Sequence, residues 1–164
     1  MNGGKKVFLG LVTIILSLMA DLISKFYIDT KFVVDEYVAV NDYFNLVKVW
    51  NTGVSFSMFN GHGDSGSYVL IGVALAVCCG LLYWMYHETD KLRVVCLGMI
   101  VGGALGNVLD RVRYGAVMDF LDFHYNTYHW PAFNLADTFI CVGAAVLILL
   151  EIRDNRRKKK GWIR

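Results

Sequence analysis

Four stretches of this chain, residues 7–20, 68–86, 94–109 and 138–150, contain no charged side chain. A helix needs roughly 20 mostly apolar residues to cross a bilayer. Only the stretch at 68–86 reaches that length unaided. The other three reach it by taking in polar residues at one end: Asp21 to Lys25, Asn107 to Arg111, and Asn134 to Asp137. Hydrophobic residues make up 56% of the 164. The chain therefore reads as one integral-membrane domain over 1–164, all-α in its membrane part, with four spans at about 7–27, 68–86, 94–111 and 133–151. The bland alternative is the buried helical core of a water-soluble domain, and the length of the apolar runs argues against it.

The polar residues at the span ends fall at one level. With a rise of ~1.5 Å per residue, Asp21 lies about 21 Å above Val7, Asn107 about 20 Å above Val94, and Asp137 about 21 Å from Glu151. Three helices thus carry polar groups below the surface of a hydrocarbon core ~30 Å thick. The second span carries no strong polar group at that height and reads as scaffold. Ionisable groups at such depth are costly to keep and mark functional sites by default. Asp21 and Lys25 stand at i and i+4, and Asn107, Asp110 and Arg111 at i, i+3 and i+4. Each set shares a helix face, and structural ion pairs Asp21/Lys25 and Asp110/Arg111 are the plain reading. Asp119 and Asp137 have no basic neighbour at helical spacing.

Eleven of the 16 Lys and Arg residues fall before the first span, between the second and third, or after the fourth. The positive-inside rule then puts both termini in the cytoplasm. The basic C-terminal run reads as a topology anchor that touches anionic lipid headgroups, and the net charge of +2 is no nucleic-acid signal. The N-terminus has the look of a cleavable leader: Lys5 and Lys6, an apolar run, then Ala20. Asp21 and Lys25 continue the same helix, so the segment is expected to stay as the first span.

Residues 32–40 are rich in Val, Tyr and Phe, and 43–50 again read as strand, with turn signals at Asn41-Asp42 and Asn51-Thr52-Gly53. A small extracytoplasmic sheet is expected there, and a loop at 61–66. Gly98, Gly102 and Gly106 repeat every four residues and allow close helix approach. Cys78, Cys79, Cys96 and Cys141 lie in the spans without ligand spacing and read as packing residues. No metal or cofactor is expected.

Two carboxylates brought close together cannot both ionise cheaply, so the pair holds one proton. The ionised member can activate water while the protonated one donates to a scissile amide. Asp119 and Asp137, joined by a loop of suitable length with the chain's one Pro, Pro131, are candidates for such a pair.

Five motifs follow in order along the chain: Asp21-Leu22-Ile23-Ser24-Lys25, Asn51-Thr52-Gly53-Val54-Ser55-Phe56, Gly106-Asn107-Val108-Leu109-Asp110-Arg111, Val117-Met118-Asp119-Phe120, and Phe133-Asn134-Leu135-Ala136-Asp137. Together they resemble those of the lipoprotein signal peptidases, or signal peptidase II. Ser55 and Thr138 stand where Ala and Ser are more usual. The resemblance implies a membrane aspartic endopeptidase of the bacterial cytoplasmic (inner) membrane. Such an enzyme removes the signal peptide of prolipoproteins before a diacylglyceryl-modified Cys. It implies Asp119 and Asp137 as the dyad, and Asp21, Asn51, Gly53, Asn107, Arg111 and Asn134 as substrate-binding or dyad-supporting residues. Lys25 and Asp110 would give structural support, and the β-cradle would correspond to 32–59. It further implies a monomer surrounded by membrane lipids, an active site near the outer leaflet surface, and sensitivity to globomycin-type inhibitors. Two other readings compete: a small transporter moving protons or cations past Asp21 and Asp137, and a non-catalytic assembly factor. A transporter would show repeats and a midplane site, and this sequence shows neither.

Overall fold

The computed structural model describes residues 3–53 and 65–159. Four helices and a small sheet follow in the order α1 (Gly3–Lys31), β1 (Tyr37–Asn41), β2 (Phe44–Asn51), α2 (Ser65–His87), α3 (Lys91–Tyr114), β3 (Val117–Tyr125), β4 (Tyr128–His129) and α4 (Leu135–Lys159). All four helices are long and apolar enough to cross a membrane. Each outruns its apolar stretch, because a helix ends at a cap rather than where its hydrophobicity ends. α1, at 29 residues, is about 44 Å long and exceeds the hydrocarbon thickness. Asp90 caps α3, its carboxylate accepting from the N–H groups of Leu92 and Arg93 at 2.8 and 3.0 Å. Gly115 ends α3 in the left-handed region (φ 72°), with its N–H on Arg111 O, the usual use of glycine just past a helix.

α3 is the central helix and packs against α1, α2 and α4. Its glycines make this possible. A Cβ on Gly102 would lie 2.6 Å from Ile14 O, and one on Gly103 2.5 Å from Ala136 O. A Cβ on Gly106 would collide with the Asp21 carboxylate. In lipid, close backbone approach of this kind is a main source of helix association. Val94, Leu97 and Val101 of α3 pack with Ile14 and Leu147 in the helix core. Outward-facing Phe8, Leu16, Ile148 and Leu149 stay exposed, as a lipid-facing surface requires. Cys78 and Cys96 are buried, but Cys79 and Cys141 are exposed, so only two of the four cysteines pack inside.

The sheet differs from expectation in one important way. Its strand order is β1-β2-β3-β4, all neighbours antiparallel. Two strands lie between α1 and α2, as expected. The other two come from between α3 and α4, and β3 was not anticipated as a strand. The turn signals hold. Asn41 accepts from Tyr43 N–H at 2.9 Å, and Asn51 accepts from Gly53 N–H at 2.9 Å, with Gly53 at φ 79°. The first strand begins at Tyr37 rather than near Phe32, because α1 runs to Lys31 and Asp35 turns the chain at φ 63°. The part of the expected β region at 54–59, and residues 61–64 of the expected loop, lie outside the described residues.

Candidate active site

α4 begins beside the sheet, and its first turn is capped twice. Asn134 is the N-cap: its side-chain oxygen accepts from Asp137 N–H at 2.9 Å. Asp137 reaches back to Asn134 N–H at 3.4 Å. This is a capping box with Asn and Asp in the two roles, and it satisfies donors a helix start leaves open. The second cap comes from α1, where Asp21 accepts from Ala136 N–H at 2.9 Å. Asp137 is therefore fixed at a helix N-terminus, where the dipole favours negative charge.

Asp119 is positioned by β3. Phe120 and Leu121 both donate their N–H to Phe133 O, at 3.0 and 2.8 Å. Two residues facing one is a β-bulge, which re-aims side chains. Phe120 and Leu121 both turn to the apolar cluster with Ile28 and Leu135, and Asp119 faces away from it.

Amides join the two carboxylates. Asn134 Nδ2 donates to Asp119 Oδ1 at 2.8 Å and to Asn107 Oδ1 at 3.1 Å. Asn107 Nδ2 donates to Asp137 Oδ1 at 2.8 Å. Asn51 Nδ2 donates to the other Asp119 oxygen at 3.0 Å. The Gly53 turn holds that amide by engaging its oxygen. A Cβ at Gly53 would lie 2.8 Å from Leu70, so the turn needs glycine for space as well as for φ.

Below this layer lies a buried ionic cluster. Lys25 Nζ is 2.7 Å from Asp21 and 2.8 Å from Asp110, and donates to Asn107 Oδ1 at 3.1 Å. Asp21, Lys25 and Asp110 are 0, 4 and 5% exposed. Asp110 also accepts from Met118 N–H at 3.2 Å, which ties α3 to the residue before Asp119. The expected Asp21/Lys25 pair forms. The expected Asp110/Arg111 pair does not, because Lys25 occupies Asp110. Arg111 stands in the field of Asp137, Asp119 and Asp110, and its Nε has no partner among the described residues. Asp21 serves α4's start and Lys25 rather than facing an open space. α2 adds no charged group here. Its Ser67 hydroxyl donates to Gly115 O, which fits a scaffold.

Asp119 is 3% exposed, and its carboxyl is pushed up from 3.8 to about 6. Burial is the largest cause, opposed by the Asn51 hydrogen bond, with the Asp137 charge raising it further. Folding thus favours the protonated Asp119. That contribution to stability is full below the ordinary value of 3.8 and is lost as pH rises through about 6. Two carboxyl groups bridged by amides, one of them proton-retaining, can divide the work of a general base and a general acid.

A family model described as "Signal peptidase (SPase) II" matches residues 13–153. The chain belongs to the signal peptidase II family. A lipoprotein signal peptidase of Anaplasma phagocytophilum is 39% identical, over 92% of this chain and 96% of that protein. One from Paraburkholderia phytofirmans is 42% identical, over 94% and 90%. A bacterial membrane enzyme solved by the in meso method at 1.9 Å shares the fold, with a TM-score of 0.79 at 23% identity, over 88% of this chain and 93% of that one. This signal peptidase II family member is a multi-pass membrane protein and a peptidase, and an aspartic mechanism is consistent with the family. Sequence reasoning passed over the bulge in β3 and with it the residues of the sheet's other face, Asn45, Asp122, His124 and His129. The doubled Asp119 and Asp122 in one short segment was the available signal.

Proposed function

We propose that Asp119 and Asp137 are the acid–base pair with which this enzyme removes the signal peptide of a prolipoprotein, cutting just before a diacylglyceryl-modified Cys. The observation that carries the reading is the Asn134 amide. It caps the helix that bears Asp137 and, from the same side chain, donates to Asp119. The ionised carboxylate takes a proton from a water, whose oxygen attacks the scissile carbonyl. The protonated carboxyl shares its proton with the carbonyl oxygen as the tetrahedral intermediate forms. The proton taken from water then passes to the leaving nitrogen as the C–N bond breaks. Arg111, close to both carboxylates in charge and free at Nε among the described residues, is suited to hold a substrate carbonyl. Asn51, Gly53, Asn107 and Asn134 orient the pair. Asp21, Lys25 and Asp110 support it from below.

The full chain acts as one domain in the bacterial inner membrane. The Lys/Arg distribution favours cytoplasmic termini, and the site then lies near the outer surface, where a bond beside two acyl chains would sit. The reading extends to a monomer in contact with membrane lipids and blocked by globomycin-type cyclic peptides. The test is mass spectrometry of products from one precursor peptide, with and without the diacylglyceryl group. Cleavage of the lipidated form alone, with Cys at the new N-terminus, is expected. Equal cleavage of both forms, or a cut elsewhere, would overturn the proposal.

The pH profile offers a second check. With Asp119 as the proton holder, kcat/KM should fall as pH rises through about 6. Asn51 stabilises the ionised form, so Asn51→Ala should move that limb upward, by roughly one unit for a hydrogen bond to a charged group. A limb left in place would mean that Asn51 does not act on the ionising group.

A further inference from the structure

A groove among the described residues lies away from the two carboxylates. It is one face of the sheet, with a volume of about 700 Å³. Alternate residues of successive strands line it: Ala39 and Asn41 from β1, Asn45 and Val47 from β2, Asp122 and His124 from β3. The opposite face carries Leu46, Met118 and Phe120 into the apolar cluster.

Two observations join this groove to the active site. The bulge at Phe120 and Leu121 cancels the usual alternation across β3, which places Asp119 and Asp122 on the same side of the strand. On β2, Val49 lies opposite Asp119 in register and also lines the groove. Two residues further, Asn51 binds Asp119. The same sheet face therefore runs from Asp119 into the groove. At ~3.3 Å per residue, Asp122 lies roughly 10 Å beyond Asp119, and Asn45 about 20 Å beyond Asn51. An extended polypeptide covers that span in about three to six residues.

The groove is acidic and built. Asp35, Glu36, Asp42 and Asp122 line it, and no Lys or Arg does. Lys48 of β2 is turned the other way, to Asp29 at 2.9 Å. Asp122 is buried, yet its position is fixed by Asn45 Nδ2 at 2.8 Å and His129 Nδ1 at 2.9 Å. His124, stacked on His129 at 5.0 Å, has neither ring nitrogen partnered among the described residues.

A signal peptide supplies an apolar helix, which an acidic sheet face does not suit. The polypeptide beyond the cut is the part that does. Resting on the reading of Asp119 and Asp137 as the cleaving pair, we propose that this groove receives the mature segment of the precursor in extended form. It favours Lys or Arg over Asp or Glu about three to six residues past the lipidated Cys. Asp122 is a specificity residue in this scheme, with Glu36 and Asp42 adding to the field.

The test uses three lipidated precursors identical except at those positions, which carry Lys, Ser or Glu. KM for the Lys precursor should be roughly five-fold below that for the Glu precursor, the scale of a few exposed charge contacts. Added salt should narrow the gap. The double variant Glu36→Lys/Asp42→Lys changes two exposed rim residues. It should erase or invert the preference while cleaving the Ser precursor as the wild type does. Equal KM for all three in the wild type, or a preference that survives the double variant, would overturn the groove assignment and leave the peptidase reading standing. If none of the three is cut, the peptidase reading itself fails and the groove proposal falls with it.

Discussion

Asp137→Asn is expected to reduce turnover by at least the roughly 10²–10⁴-fold that removal of a general acid or base costs. That corresponds to about 2.7–5.4 kcal/mol of lost transition-state stabilisation. The change is well suited to separating chemistry from structure. The Asn oxygen can still accept from Asn107 Nδ2, as Asp137 Oδ1 does now. The side chain can still sit at the start of α4, so the helix should persist with a weaker cap. What is lost is the capacity to hold or give up a proton. Asp119→Asn should remove activity as fully, at a greater structural cost. Both Asp119 oxygens accept amide N–H groups, from Asn51 and Asn134, and an amide in its place must turn a donor toward one of them. Turnover per folded enzyme on a lipidated precursor is the measurement. Near-normal turnover in either variant would end the dyad assignment.

The second large effect is on stability. Lys25→Met should destabilise the protein by about 3–5 kcal/mol, the range for breaking a buried ion pair by removing one partner. Asp21 and Asp110 would then face one another across a dry site with no cation, and Asn107 would lose its ammonium donor. For a chain of this size that corresponds to a melting temperature lower by roughly 6–20 °C. Adding Asp110→Asn to Lys25→Met should recover part of the loss, since it removes one stranded charge. The pair of variants is read by thermal unfolding in detergent. An unchanged melting temperature for Lys25→Met would show that the cluster is not what holds α1 to α3.

The spans were legible because charge-free runs of this length have few other uses, and the β1–β2 hairpin because Asn41-Asp42 marks its turn and Asn51-Thr52-Gly53 the end of β2. The grouping of Asp21 with Lys25 followed from helical spacing alone. Other features left no local trace. The strand at 117–125 carries two acids and a bulge, so its alternation is broken and its sequence resembles a loop. Asp110 prefers Lys25 to its neighbour Arg111 because of how α1 lies on α3, and Gly102 and Gly106 set that approach without naming the partner. Asp21 caps α4 through a backbone N–H, which no side-chain pattern can announce. The helices run past their charge-free stretches because the apolar signal stops before the caps do.

The start of α4 has a consequence for biogenesis. Its first turn is completed by Asp21, 115 residues earlier, and by Asn107 of α3. Asp119 in turn is held from Asn51 and from Asn134 itself. A ribosome delivers these parts in order, and the last of them emerges only when most of the chain has entered the membrane. On the proposed reading of the pair, a half-inserted nascent chain holds one carboxylate without its fellow and cannot yet cut. The order of the polypeptide acts as a safety catch, released when the final helix docks.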